Sequence, residues 1–129
     1  MAAVAERTLL ADPAWNVSRE TCGRALSLIA DLYVKEGDTL EVGEMRLRFL
    51  MTPGHTPGGM CISVDDCLFS GDTLFQTSIG RTDFPGGSFS EILDSIKNKL
   101  FLLPDETKVF PGHMGPTSIG YEKRNNPFV

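Results

Sequence analysis

Two histidines and one aspartate share a setting that could support metal chemistry. The chain has only two histidines, and His55 and His113 both lie in glycine and proline loops just after short apolar runs. Asp72 lies in a glycine turn after a third such run. Because proline fixes φ and glycine permits tight turns, loops of this kind hold a side chain rigidly. If the three runs are neighbouring strands, we expect the three side chains at one sheet edge, where α/β proteins commonly bind ligands.

Two imidazoles and a carboxylate form a donor set that suits Zn²⁺ or Fe²⁺. The sequence therefore predicts a metal site made of His55, Asp72 and His113. The residues alone leave a second interpretation open, in which Asp72 caps a turn and the histidines are ordinary surface residues. The spacing does not decide between the two, since it is not that of a compact zinc finger.

Size and composition predict one domain, residues 1–129, with its own core. The net charge of −5 disfavours binding to nucleic acid or to an anionic membrane, because no basic field is present to attract phosphate. No apolar run approaches the roughly 20 residues of a transmembrane helix, and the N-terminus lacks a signal-peptide pattern. We therefore expect a cytoplasmic protein.

Periodicity and turn residues predict an α/β protein whose short strands pair mainly as hairpins. The predicted helices are a short one within 2–10, one over 19–34 capped by Ser18, one over 89–101 whose capping box joins Ser88 and Glu91, and a last one capped by Ser118. The predicted strands are hairpins 40–42/45–51 and 60–64/67–70 and a single strand over 107–110. A long loop over 76–87 reads as functional rather than as filler.

The three cysteines form an odd set without CxxC spacing. The second hairpin places Cys67 opposite Val64 and Cys61 on the other face of the sheet, since strand side chains alternate. This pair is a poor disulfide, and reduced structural thiols are expected.

Four segments together resemble the metallo-β-lactamase superfamily, and most closely its glyoxalase II-like (hydroxyacylglutathione hydrolase-like) branch. They read TPGHTPG at 52–58, SGDTLF at 70–75, GRTD at 80–83 and FPGH at 110–113. Residues 115–128 resemble the end of the short bacterial members, so the resemblance covers about 36–128. It implies the C-terminal half of an αββα sandwich, with a mixed, largely antiparallel sheet and flanking helices.

The resemblance also implies roles. His55 matches a ligand of a first metal, Asp72 a carboxylate that bridges two metals, and His113 a ligand of a second metal. Arg81 and Asp83 match a loop beside the site that orients the substrate or supports the ligands. In such enzymes a metal-bound hydroxide attacks a carbonyl, because a bound cation lowers the pKa of water and stabilises the developing oxyanion.

The HxHxDH motif of the family, which supplies four further ligands, is absent from these 129 residues. We therefore expect at most a weak single-metal site from this chain alone. We also expect an uncovered apolar face on the sheet, formed by Leu47, Phe49, Met60, Ile62, Leu68 and Phe69. Such a face predicts a homodimer or a complex with a complementing N-terminal half.

The leading hypothesis for function is a zinc-dependent (alternatively iron-dependent) hydrolase, present here in truncated form and acting on a small-molecule thioester. Persulfide oxidation at iron, lactone hydrolysis and phosphodiester hydrolysis stay open as other chemistries of the resemblance. A second hypothesis is a non-catalytic half-domain or assembly module with at most a weak metal site.

Overall fold

The computed structural model describes residues 1–129. Its centre is a mixed six-stranded sheet of β3 (Thr39–Val42), β4 (Met45–Met51), β5 (Met60–Val64), β6 (Cys67–Gly71), β9 (Lys108–Pro111) and β10 (Thr117–Ser118). The strand order across the sheet is β10-β9-β6-β5-β4-β3. A small hairpin of β7 (Leu74–Phe75) and β8 (Ser78–Ile79) lies between β6 and the first long helix, so the predicted long loop is partly a hairpin.

Both predicted hairpins are present. Strands β3 and β4 pair around Gly43, whose φ of 60° suits glycine, and β5 and β6 pair around Asp65. Val64 is the register partner of Cys67, as the sequence predicts. The turn residues and the alternation of side chains were sufficient to define this part of the sheet.

The strand directions place the beginnings of three loops at the same edge of the sheet. Strand β9 pairs in parallel with β6. Strands β4 and β6 each pair antiparallel with β5, so β4 runs the same way as β6. The C-terminal ends of β4, β6 and β9 therefore point to the same edge of the sheet.

Two helices cover one face of the sheet and close the core. Helix α3 (Phe89–Asn98) begins after Ser88, whose Oγ accepts from the Glu91 N–H at 3.3 Å. Helix α4 (Ile119–Asn125) begins after Ser118, whose Oγ accepts from the Tyr121 N–H at 3.2 Å. A 3₁₀ turn, Leu100–Leu102, follows α3. The core between sheet and helices consists of Leu50, Cys61, Leu68, Leu74, Ile92, Ile96, Leu100, Val109 and Ile119.

The N-terminal third differs from the prediction. It contains β1 (Ala2–Ala3), a 3₁₀ turn (Val4–Glu6), α1 (Arg7–Ala11), α2 (Ser18–Cys22) and β2 (Tyr33–Val34), which pairs in parallel with β1. The predicted helix over 19–34 is wrong beyond Cys22, because Gly23 ends α2 in the left-handed conformation at φ 72°. Ser18 is the first residue of α2 rather than its cap, and the apolar side chains of the expected stripe lie in solvent, with Ile29 85% exposed.

The second face of the sheet is partly covered. The expected set of six apolar residues is divided, because Leu68 belongs to the buried core on the helix side. Phe49 is fully buried and lies beside segment 32–40. Phe69 is 48% exposed, and Leu47, Met60 and Ile62 are half-buried. None of the helices is both long and apolar enough to span a lipid bilayer.

Candidate metal centre

His55, Asp72 and His113 meet at the edge where β4, β6 and β9 end. They line a cavity of about 350 Å³ together with Phe75, Gly80, Arg81 and Phe84. His55 Nε2 lies 3.6 Å from Asp72 Oδ2, and His113 Nδ1 lies 2.9 Å from Asp72 Oδ1. The structure thus brings together the three residues that the sequence singles out, with the carboxylate between the two imidazoles.

The loop that carries His55 packs directly on α3. Its residues 52–59 form the His55 loop. Gly54 has a φ of 140°, and a Cβ there would lie 2.3 Å from the Cβ of Ile92, so only glycine fits. Ser88 N–H donates to Gly54 O at 2.7 Å, and Ser95 Oγ donates to Pro53 O at 2.9 Å. These contacts fix the part of the loop that precedes His55.

The imidazole of His55 is oriented by the backbone of the GRTD segment. Its Nδ1 lies 2.8 Å from Arg81 O, and since a carbonyl only accepts, Nδ1 carries the hydrogen. The free nitrogen is then Nε2, which faces Asp72. Phe84 meets the ring edge-on at a centroid distance of 5.6 Å. A histidine held by a carbonyl in this way is the usual arrangement of a metal ligand.

Asp72 occupies a turn that two glycines make possible. A Cβ at Gly80 would lie 1.9 Å from Asp72 O, and a Cβ at Gly112 would lie 2.7 Å from Asp72 Oδ1. Gly112 N–H also donates to Gly71 O at 2.8 Å, which joins the end of β9 to the end of β6. The carboxylate is 36% exposed and open to the cavity.

Beneath this turn lies a buried network of small polar side chains. The hydroxyls of Thr52 and Thr73 are 2.9 Å apart, and Cys61 Sγ lies 3.4 Å from Thr52 Oγ1. Burial raises the pKa of the Cys61 thiol to about 11, although hydrogen bonds with the two threonines act in the opposite direction. Cys61 therefore stays protonated and belongs to the scaffold of the site.

His113 is the most exposed of the three side chains. Its side chain is 74% exposed, against 20% for His55, and its ring meets Phe75 edge-on at 6.1 Å. Its hydrogen bond to Asp72 and the contact with Phe75 together orient the ring.

Residues 9–113 match the metallo-beta-lactamase superfamily. The chain belongs to this superfamily. The matched span includes all three residues at the sheet edge and begins well before residue 36, so the family relationship extends into the N-terminal third that the motifs did not cover.

Three similar proteins illustrate the relationship. Hydroxyacylglutathione hydrolase GloC of Haemophilus influenzae is 43% identical over 97 residues, which cover 74% of this chain and 46% of GloC. The BLEG-1 B3 metallo-beta-lactamase superposes with a TM-score of 0.88 at 41% identity, over 98% of this chain and 63% of that one. TTHA1623 in a di-iron-bound form gives a TM-score of 0.81 at 31% identity, over 99% of this chain and 63% of that one.

The chain spans about 60% of the length of curated relatives that it matches over nearly all of its residues. Its α/β architecture, a mixed sheet with flanking helices, is accordingly a partial metallo-beta-lactamase fold. The relatives include probable metallo-hydrolase YqgX of Bacillus subtilis, which is 40% identical over 127 residues, and TTHA1623 is the relative seen with two irons.

The side-chain atoms of the three residues are of the kinds that bind zinc or iron, but they do not surround a common point. Imidazole nitrogen and carboxylate oxygen are ligands of zinc and iron. However, no group of three or more His, Cys, Asp and Glu side chains has the geometry of a metal site. His113 Nδ1 makes a hydrogen bond with Asp72 Oδ1, while His55 Nε2 faces Asp72 Oδ2. The three side chains therefore face one cavity but do not by themselves enclose a metal ion.

Arg81 and Asp83 form a pair at the rim of the cavity. Arg81 donates from Nε and Nη2 to the two carboxylate oxygens of Asp83, both at 2.6 Å, and its guanidinium stacks on Phe84 at 4.2 Å. This pairing, and chiefly the hydrogen bond from Arg81, lowers the pKa of Asp83 to about 2. Asp83 is therefore an anion at neutral pH that holds the Arg81 side chain in place.

Several contributors to the site were not identified from the sequence. The backbone carbonyl of Arg81, rather than its side chain, orients His55, and no sequence pattern reveals a carbonyl's direction. Phe75 and Phe84 form the apolar walls. Gly80 was a usable signal, because it stands at the start of the GRTD segment where a close approach of two backbones requires glycine.

Proposed function

We propose that this chain is a metal-dependent hydrolase of the hydroxyacylglutathione hydrolase type that cleaves a small thioester. The observation that carries the proposal is the convergence of the His55, Asp72 and His113 side chains on one cavity at a single sheet edge. These residues are the proposed metal ligands, for Zn²⁺ or alternatively for iron. When bound there, such a cation lowers the pKa of a water molecule and polarises the carbonyl of the thioester.

The residues of the chain have distinct proposed roles. His55 would hold the metal through Nε2, because Nδ1 is engaged with Arg81 O. Asp72 is the proposed catalytic carboxylate, since it faces both imidazoles and can ligate through one oxygen while accepting a hydrogen bond through the other. In the overall reaction, water adds across the C–S bond to give a carboxylic acid and a free thiol.

The cavity suits a small, partly apolar substrate. Phe75 and Phe84 supply its apolar walls, and Arg81 retains donors on Nη1 after pairing with Asp83. We assign to Arg81 the orientation of a substrate carboxylate or carbonyl, with Asp83 holding it. The proposed setting is the cytoplasm, whose reducing conditions suit three cysteines without a disulfide.

A complete two-metal centre needs ligands beyond those of these 129 residues, because both histidines are already in use. We propose that a second polypeptide supplies these further ligands or covers the open side of the site. It is either a second copy of the chain or a complementing N-terminal half. The partly exposed second face of the sheet supports this proposal.

A second candidate function is an assembly module that performs no chemistry. The open geometry of the three ligands favours it, since no closed metal site is present. The two candidates differ in metal content and in turnover.

The experiment that tests the proposal combines elemental analysis of the purified chain with hydrolysis of a hydroxyacylglutathione thioester. We expect bound zinc or iron and measurable loss of the thioester. His55→Ala and Asp72→Ala should each reduce bound metal and turnover at least tenfold, because each removes a ligand that no other group replaces. Glu20→Ala is the matched control, since Glu20 is an exposed carboxylate on α2 without a side-chain partner.

Two results would contradict the proposal. Absence of both metal and turnover in the purified chain would favour the assembly module. Unchanged metal content in His55→Ala would show that the metal lies elsewhere.

A further inference from the structure

Glu6 joins the N-terminal segment to the His55 loop across 50 to 52 residues of sequence. Its Oε1 accepts hydrogen bonds from Thr56 Oγ1 and from Gly58 N–H, the latter at 2.8 Å. The two donors lie on either side of Pro57, immediately after His55. One carboxylate oxygen therefore fixes the backbone on the C-terminal side of the imidazole.

The contact is close enough to determine which residue stands at position 58. A Cβ on Gly58 would lie 2.3 Å from Glu6 Cγ and 2.7 Å from the Glu6 backbone nitrogen. The glycine thus permits the Glu6 backbone itself to pack against the loop. Gly58 is buried and Glu6 is half-buried, so solvent does not readily replace either bond.

The backbone around Glu6 is held in place by the N-terminal segment. It ends the 3₁₀ turn Val4–Glu6, and the preceding β1 pairs with β2. The guanidinium of the next residue, Arg7, stacks on the Tyr33 ring at 4.5 Å. The carboxylate is therefore held by the N-terminal segment and is not a freely rotating surface group.

The two contacts from the α3 region act before the histidine, whereas a backbone bond from Thr52 N–H to Gly59 O at 2.7 Å closes the far end of the loop. Ser88 and Ser95 of the α3 region bind the carbonyls of Gly54 and Pro53. Glu6 binds the residues after it. We propose that Glu6 is a positioning residue for the metal centre, which keeps the His55 ring facing Asp72 by fixing the loop on its second side. This inference rests on the proposed metal site and adds a residue that the donor set does not include.

The test compares Glu6→Ala and Glu6→Gln in the full chain by NMR, with Glu20→Ala as the matched control. In Glu6→Ala we expect Gly58 N–H to exchange with solvent about tenfold faster, because one local hydrogen bond is lost. The Nδ1–H signal of His55, which reports its bond to Arg81 O, should weaken at fixed pH. Glu6→Gln should restore both signals, since the amide oxygen accepts the same two bonds.

The metal readout is separate from activity. Titration of each variant with Zn²⁺ alone should show affinity about tenfold lower in Glu6→Ala than in Glu6→Gln. A purely structural role predicts a different pattern, in which exchange accelerates equally for Gly58 and for amides of β5 and β6. Equal acceleration throughout the sheet, or unchanged Gly58 exchange and His55 signal in Glu6→Ala, would overturn the inference.

The test of Glu6 can still be interpreted if the proposed function is wrong. The exchange rate of Gly58 and the tautomer of His55 are measured without metal or substrate. A chain without metal and turnover, but with a His55 ring that moves in Glu6→Ala, would reject the proposed function and retain the positioning role of Glu6 toward His55.

Discussion

At the scale of single residues, Glu122 shows how a buried charge can hold the region behind a site. This carboxylate is fully buried in α4 and accepts from Thr77 N–H at 2.9 Å, from Thr117 Oγ1 at 2.6 Å and from Asn126 Nδ2 at 2.9 Å. Thr77 has a φ of 54°, an uncommon value for a residue with a Cβ. Glu122 therefore helps to hold the β7–β8 turn, which follows Asp72 along the chain.

Removal of this carboxylate should strongly destabilise the fold. Glu122→Ala removes the acceptor of one buried donor, Asn126 Nδ2, and of two partly buried donors, Thr77 N–H and Thr117 Oγ1. We expect the free energy of unfolding to fall by on the order of 3 kcal/mol. Urea denaturation measures the change. Glu106→Ala is the matched control, because Glu106 is exposed and its side chain has no partner. A loss in Glu122→Ala no larger than in the control would show that water reaches the three donors.

At the scale of elements, the end of β4 is closed by a charged pair. Glu36 Oε2 accepts from Met51 N–H at 2.7 Å and from Lys99 Nζ at 2.8 Å, and Lys99 Nζ also donates to Met51 O at 2.6 Å. Both backbone groups of the last β4 residue are thereby satisfied just before the His55 loop. Partial burial by itself raises the pKa of Glu36, but the hydrogen bonds and charge of Lys99 and the Met51 N–H outweigh it and lower the pKa.

This lowered pKa predicts a stability contribution that depends on pH. A carboxyl whose pKa is lower in the folded state stabilises the fold above its ordinary value of 4.5, and the contribution is lost as pH falls through the folded-state pKa. Glu36→Gln should therefore lower the free energy of unfolding near neutrality by no more than about 1 kcal/mol, since the pair is partly exposed. The difference from the unmodified chain should vanish in strong acid.

Urea denaturation at neutral and at strongly acidic pH gives the measurement. Glu44→Gln is the control, because Glu44 lies exposed in the β3–β4 turn without a side-chain partner. A difference between Glu36→Gln and the unmodified chain that stays the same at both pH values would mean that the charge of Glu36 contributes nothing.

Elements whose signals are local were predictable from the sequence, and elements defined by distant contacts were not. Ser88 and Ser118 identified their helices because a cap and its helix are neighbours in the chain. The helix expected over 19–34 failed because its apolar spacing competes with Gly23 and with the pairing of β2 to β1, some 30 residues away. For the same reason the sequence identified His55, Asp72 and His113 but not the Glu6 contact that supports the His55 loop.

At the scale of the whole molecule, one face of the central sheet contains an exposed aromatic pair. Phe69 and Phe110 are register partners on β6 and β9, stack with ring centroids 5.6 Å apart, and are 48% and 38% exposed. Since residues directly opposite each other share a face, this pair continues the half-buried face that includes Ile62. The helices lie on the opposite face and cannot cover the pair.

We expect this face to bring two copies of the chain together. If this dimer forms as we propose, Phe69→Lys should convert it to a monomer, because burial of one phenylalanine is worth about 1.5–3 kcal/mol and a symmetric dimer contains two. A loss of this size weakens association at least 100-fold. Size-exclusion chromatography with light scattering measures the mass. Leu102→Lys is the matched control, since Leu102 is 77% exposed after α3 on the helix side. An unmodified chain that runs as a clean monomer, or a Phe69→Lys variant that stays dimeric, would contradict association through this face. The open side of the metal centre would then require an N-terminal half as its partner.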